Sequence, residues 1–280
     1  MLATLAKAPS PRAPIRLFRF ADILEPRLAW TGLACLALMP PSLVALAFDE
    51  RLLNGLSVWV KPLKFQASAG LYLLTLAWFV GALPEAVRRG RVMAAIVAVA
   101  VATSSFEIGY ITLQAARGLA SHYNTDDPFH AALYSLMGFA AVALTALSPA
   151  VAALLLRHRP QSWSTALWVA ALLGLSLTFV LGAGAGAALS SGDGHWIGGV
   201  RTDEGGVPIV GWSRTGGDLR VAHFLGMHAM HALPALGFIL GRSLRPRPAV
   251  ALVALGTVAY CAATAFVFRQ ALAGLPLWPV

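Results

Sequence analysis

The chain has 280 residues, of which 58% are apolar and only 12% charged, where a soluble globular domain carries roughly a quarter charged residues. With a mean hydropathy of +0.71, that composition excludes an ordinary soluble enzyme, a fibrous or disordered chain and a disulfide framework. The formal net charge is +9, and where its cations fall decides between a nucleic-acid partner and a membrane topology signal.

Residues 1–27 contain Lys7, Arg12, Arg16, Arg19 and Arg27 with Pro9, Pro11 and Pro14. They lack the apolar stretch of a cleavable signal peptide and are expected to form a basic, proline-containing cytoplasmic tail. Seven apolar runs follow: Leu28 to Phe48, Val58 to Leu83, Val92 to Leu119, Phe129 to Leu156, Ser164 to Ser190, Leu219 to Leu240 and Ala249 to Ala273. Each is long enough to cross the bilayer, which takes about 20 residues. The expected fold is therefore all-α, a bundle of seven transmembrane helices over 28–275 in a bacterial-type inner (plasma) membrane, with a short C-terminal end at 276–280. Thirteen of the twenty-one Lys and Arg lie in the tail and in the three short loops on the same side, and those loops contain one acid, Glu85. The positive-inside rule then puts the N-terminus in the cytoplasm and the C-terminus outside. The basic excess is thereby spent on topology and argues against nucleic acid.

Along the spans, Pro40 with Pro41, Pro149 and Pro234 should kink their helices, because proline removes a backbone donor. Gly182, Gly184 and Gly186 in the fifth span include a GxxxG-type spacing that permits close backbone approach. Cys35 and Cys261 sit in apolar runs and are expected to be reduced packing residues. The fifth and sixth spans are joined by a glycine-rich segment, 191–218, with His195, Trp196 and Trp212. It is long for a connector and is expected to fold over the outer mouth of the bundle as a cap. It has no phosphate-loop pattern, so no nucleotide is expected.

Ionisable residues inside a membrane are costly and normally face a cavity or a partner. Six of the seven histidines, His122, His130, His195, His223, His228 and His231, fall in the outer loops or outer halves of the spans. In the sixth span His223, His228 and His231 occupy one sector of about 140° on a helix of 3.6 residues per turn. His228 and His231 are one turn apart, whereas His223 stands about 12 Å above His231, so the three cannot grip one ion. In the third span Ser104, Glu107, Gln114 and Ser121 share a face, with Glu107 about 18 Å deep like His231, and Gln114 near the depth of His223. Lys61 and Lys64 open the second span, Arg269 lies at similar depth in the seventh, and these cations call for Asp126, Asp127, Asp218 or an anionic ligand. His130, Tyr134 and Met137 share the outer face of the fourth span.

These patterns permit several chemistries. A retinal protein is excluded, because the seventh span has no lysine for a Schiff base. Haem b could be held non-covalently by His223, His231 or His130 from facing spans. Copper suits His223 with Met227 and Met230, and a zinc or iron site could draw on His228 and His231 with Glu107 or His130. Glu107, Gln114 and Tyr134 are the candidate catalytic groups. His223, His228, His231, His130, Lys64 and Arg269 are the candidate cofactor-binding groups, and His228, His231, His223 and Met227 the candidate metal ligands. The leading expectation is a haem- or metal-binding membrane redox protein coupled to quinone or another small apolar or anionic ligand, as a monomer or homo-oligomer. A proton-coupled small-solute transporter and a metal-dependent membrane hydrolase are the alternatives.

Overall fold

The computed structural model describes residues 24–279, so the part of the basic tail before Leu24, with Lys7, Arg12, Arg16 and Arg19, lies outside the described residues. The remainder is all-α apart from two short ribbons. Seven helical segments are long and apolar enough to span a membrane: Pro26–Phe48, Val60–Gly81, Arg91–Arg117, Pro128–Arg157, Thr165–Ser190, Leu219–Ser243 and Pro246–Leu272. Each boundary lies within three residues of the position expected from hydropathy. The protein is a polytopic, multi-pass membrane protein, and the lipid-facing surfaces of its helices contact the bilayer.

The first span is two helices, α1 (Pro26–Ala37) and α2 (Met39–Phe48). The break at Leu38 precedes Pro40 and Pro41, as expected of two prolines at a helix start. The second span is α3 (Val60–Gly81), followed by a single turn, α4 (Glu85–Arg88), and then the third span, α5 (Arg91–Arg117). The fourth is α6 (Pro128–Arg157), which starts on Asp127, whose carboxylate accepts from the Phe129 and His130 amides, satisfying donors that a helix start leaves free. Pro149 in α6 and Pro234 in α9 are carried inside unbroken helices.

The fifth span departs from the plain helix its hydropathy implies. It runs as α7 (Thr165–Leu177), a π turn (Thr178–Ala183) and α8 (Gly184–Ser190). The sixth and seventh spans are α9 (Leu219–Ser243) and α10 (Pro246–Leu272). The ribbons are β1 (Leu52–Leu53) with β2 (Leu56–Ser57), and β3 (Trp196–Ile197) with β4 (Gly217–Asp218), both antiparallel. The first turns on Asn54 and Gly55, both with positive φ, the pairing a tight hairpin requires.

Around the bundle, α3 packs on α1 and α5, α5 on α6, α6 on α7, and α9 on α7, the π turn and α10. The crossing of α9 on the fifth span depends on missing side chains: a Cβ on Gly226 would stand 2.6 Å from the Gly182 nitrogen. Between α3 and α9 a cleft of about 280 Å³ opens, lined by Thr75, Trp78 and Phe79 on one side and Met230, His231, Pro234, Ala235 and Phe238 on the other.

The main apolar core fills the half of the bundle nearest α4, where Leu73, Leu76, Phe79, Val80, Met93, Ile96, Val151, Leu155 and Leu175 are buried. The opposite end carries the β1–β2 hairpin, the 118–127 loop and the 191–218 segment; we call it the cap end.

Candidate functional site

Polar side chains converge beneath the cap from four elements. Lys61 enters from the first turn of α3, Glu107 from mid-α5, His122 from the following loop and His223 from α9. Lys61, His122 and His223 are each half-buried. Among the described residues the Lys61 ammonium has no hydrogen-bond partner; its nearest specific contact is the Phe65 ring at 6.0 Å. Lys64, Glu107, Arg220 and Asp203 all act on it electrostatically, Lys64 most strongly. Glu107 is 8% exposed, and its Oε1 is buried without a hydrogen-bond partner.

The π turn prepares one histidine. His223 Nδ1 donates to the carbonyl of Gly182 at 2.9 Å, a group within the turn, and the ring passes over Gly186. This orients the ring, and when the imidazole is neutral its Nε2 lone pair is left free of that bond. Lower on α9, Nδ1 of His228 and Nδ1 of His231 are 3.2 Å apart, so one must donate to the other and a proton can sit on either. The Phe224 ring covers His228 at 4.1 Å between centroids. His231 reaches the head of the α3–α9 cleft. Its Nε2 lies toward the Leu71 carbonyl but makes no hydrogen bond of good geometry.

A second approach comes from α6. His130 Nδ1 bonds the Asp127 carboxylate at 2.5 Å, leaving Nε2 buried without a partner. One turn further on, the Tyr134 hydroxyl is also buried and lacks a bond of good geometry. Its ring lies 5.9 Å from His122 and 5.4 Å from Tyr123, while Phe65 covers the other side of His122 at 5.5 Å. Gln66, wholly buried, donates to Ser42 at 2.9 Å, but its Oε1 is unsatisfied, as is Asn124 Oδ1.

The cap is an ordered part of the fold. Arg220, on the first turn of α9, is its hub: one Nη bonds Asp203 at 2.7 Å, Asp218 at 2.6 Å and the Gly211 carbonyl at 2.7 Å. His195 Nε2 is 3.1 Å from the same Asp203 oxygen. The Asp203 amide donates to the Asn54 carbonyl at 2.9 Å, pinning the segment to the β1–β2 hairpin. Lys64 donates to the Val210 carbonyl at 3.1 Å, tying the cap to the helix that carries Lys61.

Burial depresses the His195 pKa, and the bond to Asp203 offsets this only in part. Burial raises the Asp203 carboxyl, but the bonds from His195 and Arg220 outweigh it and hold the group below its usual range. His122 is pushed well below the ordinary histidine value by burial, with Lys61 and His223 adding to the shift, so it is neutral at neutral pH. At the rim, bonds from Arg51 and Trp59 hold the Asp49 carboxyl down.

The residues singled out from sequence thus separate into groups. His228 and His231 come together, and Ser104, Glu107 and Gln114 share an interior face of α5, whereas Ser121 is buried in the loop beyond the helix end. Gln114, however, is spent on Tyr110 and the Ala120 carbonyl at 3.2 Å each, closing the end of α5. Met227 packs its sulfur against Gly182, and Arg269 stands exposed at the end of α10. Asp127 and Asp218, considered as partners for Lys61, Lys64 and Arg269, are engaged by His130 and Arg220. Among the described residues no three His, Cys, Asp or Glu side chains form a ready metal-binding set. Arg220 and Asp203 emerge only in three dimensions; the sequence signals for them were the Asp218–Arg220 pair at the start of α9 and the Asn54–Gly55 turn they lean on. No protein-family model matches the chain, and neither a curated protein nor a solved structure does.

Proposed function

We propose that the protein is a proton-linked carrier of a small solute, with Glu107 as its proton site and the polar interior beneath the cap as the place where solute binds. The observation that supports this is the set of buried polar atoms, Gln66 Oε1, Glu107 Oε1, Asn124 Oδ1 and His130 Nε2, that have no hydrogen-bond partner among the described residues. Native interiors leave few such atoms unpaired, each costing about 1–3 kcal/mol, and a mid-membrane carboxyl costs more. A cluster of them is the mark of a site that completes its bonding with water, protons and a solute. In this reading the conformation is occluded: the 191–218 segment closes one end and the apolar core closes the other. The cap faces the outside of a bacterial-type inner membrane, following the distribution of Lys and Arg.

The test is reconstitution into liposomes containing a pH-sensitive dye, with gradients of small organic solutes imposed across the membrane. Wild-type protein moves protons with one class of solute, and Glu107→Gln reduces that flux at least tenfold while the protein remains monodisperse. Solute flux without proton movement, unchanged in the variant, overturns the proposal.

A haem- or metal-dependent redox role is favoured by a different observation. His223 and His130 each spend Nδ1 on an oxygen acceptor, the second-shell arrangement that orients a ligating imidazole through Nε2. Haem b, copper or iron would be held there by Nε2. An absorption spectrum of oxidised and reduced protein, with metal analysis of the same sample, distinguishes the readings: a band that shifts on reduction, lost in His223→Ala, supports this one.

A further inference from the structure

We infer that the cleft between α3 and α9 binds the ring of a membrane-dissolved quinone, which enters sideways from the bilayer and leaves its apolar tail in lipid; this holds whether or not Glu107 is a proton site. The cleft has about 280 Å³ of space, room for one ring and the small end of ligand pockets, which run from about 300 Å³ upward. Ala235 and Phe238 at its edge are exposed within a membrane span, so it opens toward lipid. Its walls are aromatic and held in place. Trp78 stacks on Trp163 at 5.1 Å between centroids, Phe79 is fully buried, and Arg242 lies over Phe238 at 5.1 Å. Fixed aromatic faces favour a flat ring over a flexible acyl chain.

The polar end of the cleft selects the chemistry of the ligand. Thr31, Thr103, Thr145, Thr178, Thr257 and Thr264 each bond the carbonyl four residues back, which hides a hydroxyl within a membrane helix. Thr75 lines the cleft, and among the described residues its hydroxyl has no hydrogen-bond partner. The carbonyl it would use in that pattern, Leu71, is approached instead by His231 Nε2, without good geometry. A hydroxyl and an imidazole nitrogen thus stand along one turn of α3 with their bonds unspent. When His228 Nδ1 donates to His231 Nδ1, 3.2 Å away, His231 Nε2 carries the hydrogen and is a donor like the Thr75 hydroxyl. Together they call for an oxygen acceptor. His231 is twelve residues from each end of α9, about 18 Å by the helical rise, which puts it near the bilayer midplane. The polar atoms of ordinary lipids lie about 15 Å from there, outside a hydrocarbon core ~30 Å thick. An acyl chain in the cleft would leave both donors unpaired, whereas a quinone brings a carbonyl oxygen to that depth on a flat apolar ring. No covalent bond changes: the ring exchanges lipid for the aromatic walls, and its carbonyl accepts from Thr75 Oγ and His231 Nε2.

The experiment uses purified full-length protein in phosphatidylcholine nanodiscs, titrated with decylubiquinone and read by quenching of tryptophan fluorescence, with palmitate as a competitor. Quenching is expected to saturate at one quinone per chain. Ala235→Trp, which fills the cleft from its exposed edge, should weaken binding at least tenfold. Thr75→Val, which removes only the donor, should weaken it about fivefold or more, and Thr75→Ser should restore most of it. With quinone labelled by carbon-13 at its carbonyls, infrared difference spectra should show a carbonyl stretch lowered by hydrogen bonding in wild type and in Thr75→Ser, and less so in Thr75→Val. Quenching that rises in proportion to added quinone without saturating, or that is unchanged in Ala235→Trp, overturns the site. Binding by Thr75→Val equal to wild type, or displacement by palmitate at equal concentration, shows a groove for acyl chains and overturns the choice of a quinone.

Discussion

The two halves of the bundle solve the problem of polar groups in a membrane differently. Toward α4, nearly every polar atom is spent: the Tyr72 hydroxyl donates to the Leu144 carbonyl at 2.8 Å and meets Ser148 at 2.9 Å, Ser104 bonds the Ala100 carbonyl, and Thr178 bonds the Gly174 carbonyl. Toward the cap, Gln66, Glu107, Asn124 and His130 each leave a buried atom unpaired among the described residues, and the Tyr134 hydroxyl meets Tyr123 and Ser190 only at loose geometry. Of the eight partnerless buried atoms among the described residues, Arg88 Nε belongs to the opposite end and His231 Nε2 to the middle of the bundle, at the α3–α9 cleft. The first half is built for packing. The second holds binding capacity in reserve, and the stability of the first allows it to do so.

The largest test of this contrast compares one truncation in each half. Phe79 is fully buried and packs against Trp78 and Trp163 with ring centroids at 5.0 and 6.1 Å. Phe79→Ala should cost about 3–5 kcal/mol, whereas Tyr134→Phe, which deletes a hydroxyl without a good partner, should change stability by about 1 kcal/mol or less. Reversible unfolding in mixed micelles measures both. A Tyr134→Phe cost as large as that of Phe79→Ala would show that the cap half is as tightly satisfied as the other.

Arg220 is the next largest point of leverage, because it neutralises two buried carboxylates at once. Arg220→Met leaves Asp203 and Asp218 without their cation, and breaking a buried pair in this way costs about 3–5 kcal/mol. Part of that cost is relieved by local opening, so the loss should concentrate in the cap. Hydrogen exchange should speed up sharply across 191–218 and stay unchanged in α7. Uniform acceleration through the bundle would mean that the cap is part of the structural core.

A smaller effect is expected where α9 crosses the π turn. Gly226→Val inserts carbon against the Leu181 carbonyl carbon and the Gly182 nitrogen, each 2.6 Å from where a Cβ would begin. Overpacking of this kind costs about 1–3 kcal/mol. By moving the Gly182 carbonyl it should also release His223, which nitrogen-15 shifts of the imidazole would register as a change of tautomer. A valine that leaves the His223 spectrum unchanged would separate the π turn from the histidine it is argued to orient.

What could be read in advance follows the range of the physics involved. Span positions depend on apolar runs of local extent, and all seven were legible, as was the interior face of α5 from Ser104 to Gln114; Ser121 lies in the loop beyond the helix end at Arg117. The proline break in the first span was legible, while Pro149 and Pro234 sit in helices their neighbours keep continuous. The cap was legible as a long glycine segment, but not its anchoring, because Asp203 reaches Asn54 and Arg220 across long stretches of chain. The π turn was hidden because an inserted residue leaves hydropathy unchanged. Lys61 reads as an ordinary span-end lysine, and the tie between its helix and the cap, from Lys64 to the Val210 carbonyl, spans 146 residues of chain.

The smallest predicted effect concerns acid and the cap. His195 faces Asp203, Arg220 and Asp218, and its pKa in the docked segment lies below the ordinary value of 6.5. The docked state therefore binds fewer protons than the released one, and stability that depends on neutral His195 is fully present above that ordinary value. It is lost as pH falls below 6.5, by at most about tenfold in the docking equilibrium per pH unit for one proton. Asp203, with its pKa lowered, acts in the same direction but only in the carboxylate range, so between pH 7 and 5 the histidine dominates. Limited trypsin cleavage at exposed Arg201 in detergent should accelerate several-fold from pH 7 to pH 5 after correction for the protease's own pH profile. His195→Gln, which keeps a hydrogen-bonding group without the titration, should flatten that dependence. An equal slope in the variant would assign the acid response to another group and leave His195 as a packing residue beneath Trp196, whose ring it meets at 3.7 Å.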